Sequence, residues 1–145
     1  MRGDGACQFR AIADQLWQDE SKHALVRSNV CYQMYRHPHL YQQHVPGDYM
    51  VYCRSMQQLT TWGDHVTLQA AADAYGLRIM VLTSWRDSEV VEVVPRGVDV
   101  NTDRILYLSF WGGSHYNSVY QAGAPSSSKV LGSARLGRLQ RLLFS

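Results

Sequence analysis

Cys7 follows Asp4 by three residues in the run Gly3-Asp4-Gly5-Ala6-Cys7-Gln8-Phe9-Arg10-Ala11, and His115 opens the run His115-Tyr116-Asn117-Ser118-Val119-Tyr120. A thiol attacks carbonyl carbon well only as thiolate, and an imidazole brought to it by the fold can take its proton and later protonate a leaving amine. The pair is what a cysteine hydrolase needs. Read alone, Cys7 is equally well a small buried hydrophobe, and a lone His at a strand start is an ordinary surface residue. The distant partner tips the reading toward a nucleophile.

Positioning this pair requires a helix at one end and a strand at the other. Asp4 and Gly5 form turns, and Cys7, Phe9, Ile12, Ala13, Leu16 and Trp17 recur at helical spacing, which puts the thiol in the first turn of a helix. There the macrodipole favours a thiolate, and the first backbone N–H groups can cradle an oxyanion. Residues 104–110 read as a buried strand, 111–114 as a turn and 115–120 as the returning strand of a hairpin. Strand alternation sets His115 and Asn117 on one face, so Asn117 can orient the imidazole.

Between these ends, Ser21 is expected to cap a helix running through Val26, Val30 and Met34 to a stop before Pro38. Short helices are expected over 39–45 and 48–56. Asp64 is expected to cap a helix that Gly76 ends, with strands over 77–83 and 89–94 before the hairpin. A small sheet flanked by helices gives an α+β, papain-like fold.

Three segments in this order, Gly3 to Ala11, Thr61-Trp62-Gly63-Asp64-His65-Val66-Thr67-Leu68-Gln69-Ala70-Ala71-Ala72, and Tyr107-Leu108-Ser109-Phe110-Trp111 running on to Tyr120, resemble the ovarian tumour (OTU) family of cysteine deubiquitinases, in particular its plant-like branch. The resemblance covers the chain from Gly3 to about Gln121. It implies the papain-like OTU fold, with Cys7 as nucleophile, His115 as general base, and Asp4 opening a loop that helps shape the oxyanion hole. It also implies Asn117 as orienter of the imidazole, a role for which Asp4 competes. We favour Asn117, because a carboxylate three residues before Cys7 is well placed to cap the helix. Gly5 and Ala6 of the loop, and Trp62 and Trp111 beside the cleft, are the implied substrate-binding positions.

The implied reaction is hydrolysis of (iso)peptide bonds at the C-terminal Gly of ubiquitin through a thioester, on ubiquitin or polyubiquitin-conjugated proteins, by a monomer and without metal or cofactor. Two departures stand out. Ala6 occupies a position where the family commonly has Asn, which removes a side-chain amide from the loop. The chain also opens almost on the motif, as a truncated N-terminus would, leaving Asp4 near a fraying end. Both motivate an alternative, a catalytically weak or inactive OTU domain that acts as a ubiquitin-binding module. A papain-like hydrolase or transacylase with another acyl donor is the third reading.

The 145 residues suit one domain, 1–121, followed by a linker and basic tail over 122–145. Up to Gln121 there are ten Lys and Arg against twelve Asp and Glu, whereas Lys129, Arg135, Arg138 and Arg141 stand in the tail with no acid, so the net charge of +2 comes from the tail. A slightly acidic domain gives no reason to expect a nucleic-acid partner. No apolar run is long enough for a membrane helix and no signal peptide opens the chain. Three widely spaced cysteines, Cys7, Cys31 and Cys53, point to a reducing compartment, cytoplasm or nucleus. Pro38 and the lack of acidic or Cys partners argue against a metal site at His37, His39 and His44. In the tail, Leu136, Leu139, Leu142 and Leu143 share one side of a helical pattern over 131–144, which we read as a poorly ordered terminus.

Overall fold

The computed structural model describes residues 4–83, 90–96, 104–111 and 115–120, and the backbone of 141–143. Helix α1 spans Cys7–Trp17 and ends where Gln18 takes the left-handed conformation, φ 58°. Helix α2, His23–Arg36, is entered through a 3-10 turn, Glu20–Lys22. Ser21 does not cap α2, which has no side-chain cap at Lys22; Asp19 caps the 3-10 turn instead, its carboxylate accepting the Ser21 N–H at 3.0 Å and the Ser21 hydroxyl at 2.5 Å.

Pro38 begins the short α3, Pro38–Tyr41, as a ring with fixed φ and no N–H can at the first position of a helix. A 3-10 turn, Gln42–His44, follows. Asp48 caps α4, Tyr49–Met56, through the Val51 N–H. Helix α5, His65–Tyr75, has a capping box: the Asp64 carboxylate accepts from the Val66 and Thr67 N–H groups while the Thr67 hydroxyl accepts the Asp64 N–H at 2.7 Å. Gly76, φ 64°, closes it.

The sheet has the order β4-β3-β1-β2, with β1 Arg78–Thr83, β2 Val90–Val93, β3 Ile105–Trp111 and β4 His115–Ser118. Strand β1 pairs parallel with β3 and antiparallel with β2, and β3 pairs antiparallel with β4. Trp111 therefore belongs to a strand rather than to a turn, and residues 112–114, where the turn was expected, lie outside the described residues.

A fifth strand, β5, Arg141–Leu143, pairs parallel with β2. These three residues fall inside the stretch whose leucines share one side of a helical pattern and which was expected to be a poorly ordered tail. An edge strand presents unpaired N–H and C=O groups, and pairing with them outweighs a three-residue share of a helical pattern. The remainder of 121–145 lies outside the described residues.

Alternate strand positions build the core. Ile79, Val81, Val91, Val93, Leu106, Leu108 and Tyr116 join residues of all five helices in one buried cluster, and Met80, Val90 and Tyr107 form a smaller one on the other parity. One carboxylate is deeply buried in this packing. Asp73 of α5 accepts from Tyr41 at 2.5 Å, Gln69 at 3.1 Å and the Arg96 N–H at 2.7 Å, joining α3, α5 and the segment after β2.

Asp64 holds both its own helix and α4, because Tyr52 donates to its carboxylate at 2.8 Å. Asp64→Ala is expected to lower the unfolding free energy by about 1 to 2 kcal/mol, the loss of a cap with a second partner left unpaired. Urea denaturation read by circular dichroism checks this, with the slope of the transition unchanged.

Candidate active site

The loop before Cys7 is held in a conformation that only glycine tolerates. Gly5 has φ +92°, and a Cβ built on it would lie 2.2 Å from the Thr60 carbonyl oxygen. Asp4 stabilises the turn from outside. Its carboxylate accepts the Ala6 N–H at 3.2 Å and a two-pronged contact from Arg10, 2.5 Å from Nη1 and 2.6 Å from Nη2. Those Arg10 hydrogen bonds hold the Asp4 carboxyl well below the usual carboxylate range. Asp4 does not cap α1: the N-cap residue is Ala6, with no side-chain cap hydrogen bond. Arg10, one turn into the helix, draws the carboxylate to itself.

Cys7 opens α1 and is 1% exposed. Its sequence neighbour Gln8 interacts with the hydroxyl of Tyr116, the neighbour of His115. Further along, Asp14 accepts from Ser118 Oγ at 2.5 Å and from the Tyr120 hydroxyl, and Gln15 donates to the Val119 carbonyl at 3.2 Å. From Gln8 to Asp14 the helix rises about 9 Å, and from Tyr116 to Ser118 and Tyr120 a strand spans about 7 to 13 Å. Helix and strand thus run side by side in the same direction. Cys7 and His115 come to the same end of this pair.

His115 lies opposite Trp111 and Asn117 opposite Ser109, two positions apart on one face of β4. Tyr116 takes the other face, stacked on Phe110 with ring centroids 4.5 Å apart, and burial pushes its hydroxyl up to about 12. An orienting amide beside the imidazole is therefore available from the strand that carries the His. Asp4, by contrast, has both carboxylate oxygens engaged by Arg10. Trp62 and Trp111 are 46% and 53% exposed, so neither belongs to the core. Trp111 stands in register with His115, and Trp62 precedes Gly63, which abuts Gln8. Among the described residues no group of three His, Cys, Asp or Glu side chains is arranged to hold a metal.

Three residues to which the motifs assigned no role shape the site. Arg10 locks Asp4, Gln8 joins α1 to β4, and Arg27 of α2 reaches the Gly5 carbonyl at 3.4 Å. A Cβ at Gly63 would lie 2.5 Å from Gln8 Oε1, so a larger residue there would displace the Gln8 amide. Arg10 and Gln8 stand inside the nucleophile motif itself, so their place was visible. Arg27 sits twenty residues on in an unremarkable helical pattern, and nothing local marks it.

All three thiols are buried, and position in the fold is expected to separate Cys7 from the others in reactivity. Burial pushes Cys31 up to about 11 and raises Cys53 as well, whereas Cys7 begins a helix beside a His-bearing strand. At pH 6 iodoacetamide is expected to alkylate Cys7 well ahead of both, as read by peptide mass spectrometry. Equal labelling of the three would remove Cys7 from the nucleophile role.

Asp4 carries a pH signature with a fixed sign. Because its folded carboxyl titrates below the unfolded value of about 3.9, the stability it adds is full above that value and is lost as pH falls through the folded one. The Tm gap between the protein and Asp4→Asn should be open at neutral pH and close on acidification below about pH 4. A gap independent of pH would mean that the Arg10 contact does not act through charge.

Comparison with known proteins agrees with this geometry. The family model described as OTU-like cysteine protease matches residues 2–116. Two Arabidopsis thaliana proteins, the OVARIAN TUMOR DOMAIN-containing deubiquitinating enzymes 10 and 11, are 47% and 46% identical over 118 and 123 residues, which is 81% and 85% of this chain but 33% and 49% of theirs. The chain thus spans a third to about half the length of these relatives. Human OTU domain-containing protein 5 is 30% identical over 82% of this chain and 21% of its own. Among solved structures, the OTUD1 OTU domain superposes with a TM-score of 0.71 at 21% identity, covering 81% of each chain. An OTU domain in complex with ubiquitin gives 0.66 at 19% identity, over 88% of this chain and 75% of that one. In sequence and in fold, the chain belongs to the OTU-like cysteine protease family.

Proposed function

We propose that this chain is a cysteine deubiquitinase, which cleaves the (iso)peptide bond after the C-terminal Gly of ubiquitin. The observation that carries the reading is the parallel docking of α1 on β4, which brings Cys7 and His115 to one end with Asn117 on the face of His115. The close relatives named as deubiquitinating enzymes supply the substrate class. The fold is that of an OTU domain solved in complex with ubiquitin.

In this reaction His115 takes the Cys7 proton, the thiolate attacks the carbonyl carbon of the terminal Gly, and backbone N–H groups at the start of α1 receive the oxyanion. The C–N bond then breaks as His115 protonates the departing lysine amine. Water, deprotonated by His115, next adds to the thioester carbonyl, and the C–S bond breaks to release the ubiquitin carboxylate and the thiol. Asn117 keeps the imidazole in the tautomer and orientation both steps require. Trp62 and Trp111, exposed beside the two chain segments that carry the dyad, flank the path of the extended ubiquitin tail. The protein works as a monomer in the cytoplasm or nucleus, with no nucleic-acid or membrane partner.

A ubiquitin probe with a thiol-reactive C-terminal warhead tests the reading. Labelling at Cys7, lost in Cys7→Ala, is the expected result, and binding without labelling would make the chain a ubiquitin-binding module instead. On a ubiquitin C-terminal fluorogenic amide, Asn117→Ala should lower kcat by about 10-fold or more with KM nearly constant, since the residue serves the imidazole rather than the substrate. If Asp4→Asn abolishes turnover in a folded protein while Asn117→Ala is silent, Asp4 and not Asn117 is the third member.

A further inference from the structure

Arg27 is 2% exposed, and no ion pair involving it occurs among the described residues. Its guanidinium is held by carbonyls instead. Nη1 donates to the Met56 carbonyl at 2.9 Å, and Nη2 donates to those of Leu59 at 3.0 Å and Gly5 at 3.4 Å. The guanidinium carbon lies 4.1 Å from the centroid of the Phe9 ring. Burial lowers its pKa, so the fold works against this charge rather than for it. An apolar side chain of similar volume would fill the same space without that penalty.

The Gly5 carbonyl and the Ala6 N–H belong to one planar peptide group. Arg27 holds its oxygen, and Asp4, itself gripped by Arg10, holds its hydrogen. The next peptide is tied as well, because the Ala6 carbonyl accepts the Arg10 N–H at 2.8 Å. This bracing matters because of Gly5. At φ +92° a glycine can exchange conformations at little steric cost, and rotation of the following peptide would exchange the directions of its N–H and its carbonyl oxygen. A carbonyl oxygen swung toward the nucleophile would repel the charge that develops on a substrate oxygen.

We propose that Arg27 is a positioning residue for the oxyanion loop: by holding the Gly5 carbonyl it keeps the Gly5–Ala6 peptide in the one orientation that leaves the loop able to receive a developing oxyanion. The inference rests on the reading of Cys7 as an acyl-accepting nucleophile. Its structural half, the pinned peptide, stands independently of the substrate. Lysine cannot replace the arginine, since a single nitrogen cannot span the Met56, Leu59 and Gly5 carbonyls that two nitrogens of a planar fork reach.

The experiment compares the protein with Arg27→Lys in three measurements. These are hydrogen exchange of the Ala6 amide by NMR, kcat and KM on a ubiquitin C-terminal fluorogenic amide, and the rate of Cys7 alkylation by iodoacetamide, a displacement at saturated carbon that forms no oxyanion. The expected result is faster Ala6 exchange with the α1 interior still protected. With it, kcat should fall about 10- to 100-fold, and KM and the alkylation rate should stay within about 2-fold. Unchanged Ala6 exchange overturns the pinning, and alkylation falling in step with kcat overturns the specific link to the oxyanion. Should Arg27→Lys fail to fold, Phe9→Leu removes the ring from the guanidinium while leaving the charge. Ala6 exchange and kcat must then shift together, and if neither moves the proposal is wrong. If the unaltered protein does not turn over ubiquitin substrates at all, the functional reading fails while the Ala6 exchange comparison still decides whether Arg27 pins the loop.

Discussion

A glutamine amide with no access to water sits where α1, the start of α5 and β4 meet. Gln8 donates to the Asp64 carbonyl at 3.0 Å, accepts the Thr67 hydroxyl at 2.7 Å and reaches the Tyr116 hydroxyl. A buried amide left unpaired is costly, so these partners must be present together or the junction loosens. Because Gln8 adjoins Cys7 and Tyr116 adjoins His115, satisfying the amide also sets the register between nucleophile and base. Gly63 provides the room, and the Asp64 capping box fixes the backbone that Gln8 grips.

A second set of constraints acts on the loop in front of the nucleophile. Two arginines, Arg10 and Arg27, approach it from different helices, one through Asp4 and one directly at Gly5. Their charges are handled differently. Arg10 has a carboxylate partner, and the pair is strong because both ions are charged and two hydrogen bonds are aligned. Arg27 has carbonyl dipoles for its two terminal nitrogens and an aromatic ring beside it, which do not neutralise it, and its Nε is buried without a hydrogen-bond partner. The loop therefore depends on α2 and on the chain between α4 and α5, well beyond its own motif. Ala6 brings no side-chain amide to the loop, which is held by backbone and arginine contacts.

The hairpin that presents His115 is anchored at its far end. Ser118 and Tyr120 both converge on Asp14, and Gln15 accepts the Tyr107 N–H while donating to Val119. Tertiary hydrogen bonds from α1 thus supplement the ladder of an edge strand that is only four residues long. This anchoring couples the stability of β4 to that of α1, so the two carriers of the dyad are expected to order together.

Local signals in the sequence determined the helices and most strand bounds. Asp48, Asp64 and Gly76 act as the caps that short-range chemistry requires, Pro38 ends one helix and begins another, and the apolar run within 104–110 is a buried strand. The order and spacing of the motifs around Cys7, Gly63 and His115 determined the family and singled out the dyad, and strand alternation put Asn117 beside His115. Where two polar groups competed for one partner, sequence was insufficient. Ser21 and Asp19 both suit a cap, and geometry put the Asp19 carboxylate at the start of the 3-10 turn and left α2 without a side-chain cap. Asp4 suits a cap too, and Arg10 took it instead. Residues 141–143 carry a helical spacing, but an open sheet edge decided their conformation. Arg27 shows the limit most plainly. A buried cation among carbonyls leaves no periodic or compositional trace, because its partners are backbone atoms that any residue type supplies, and only the tertiary fold brings them within reach.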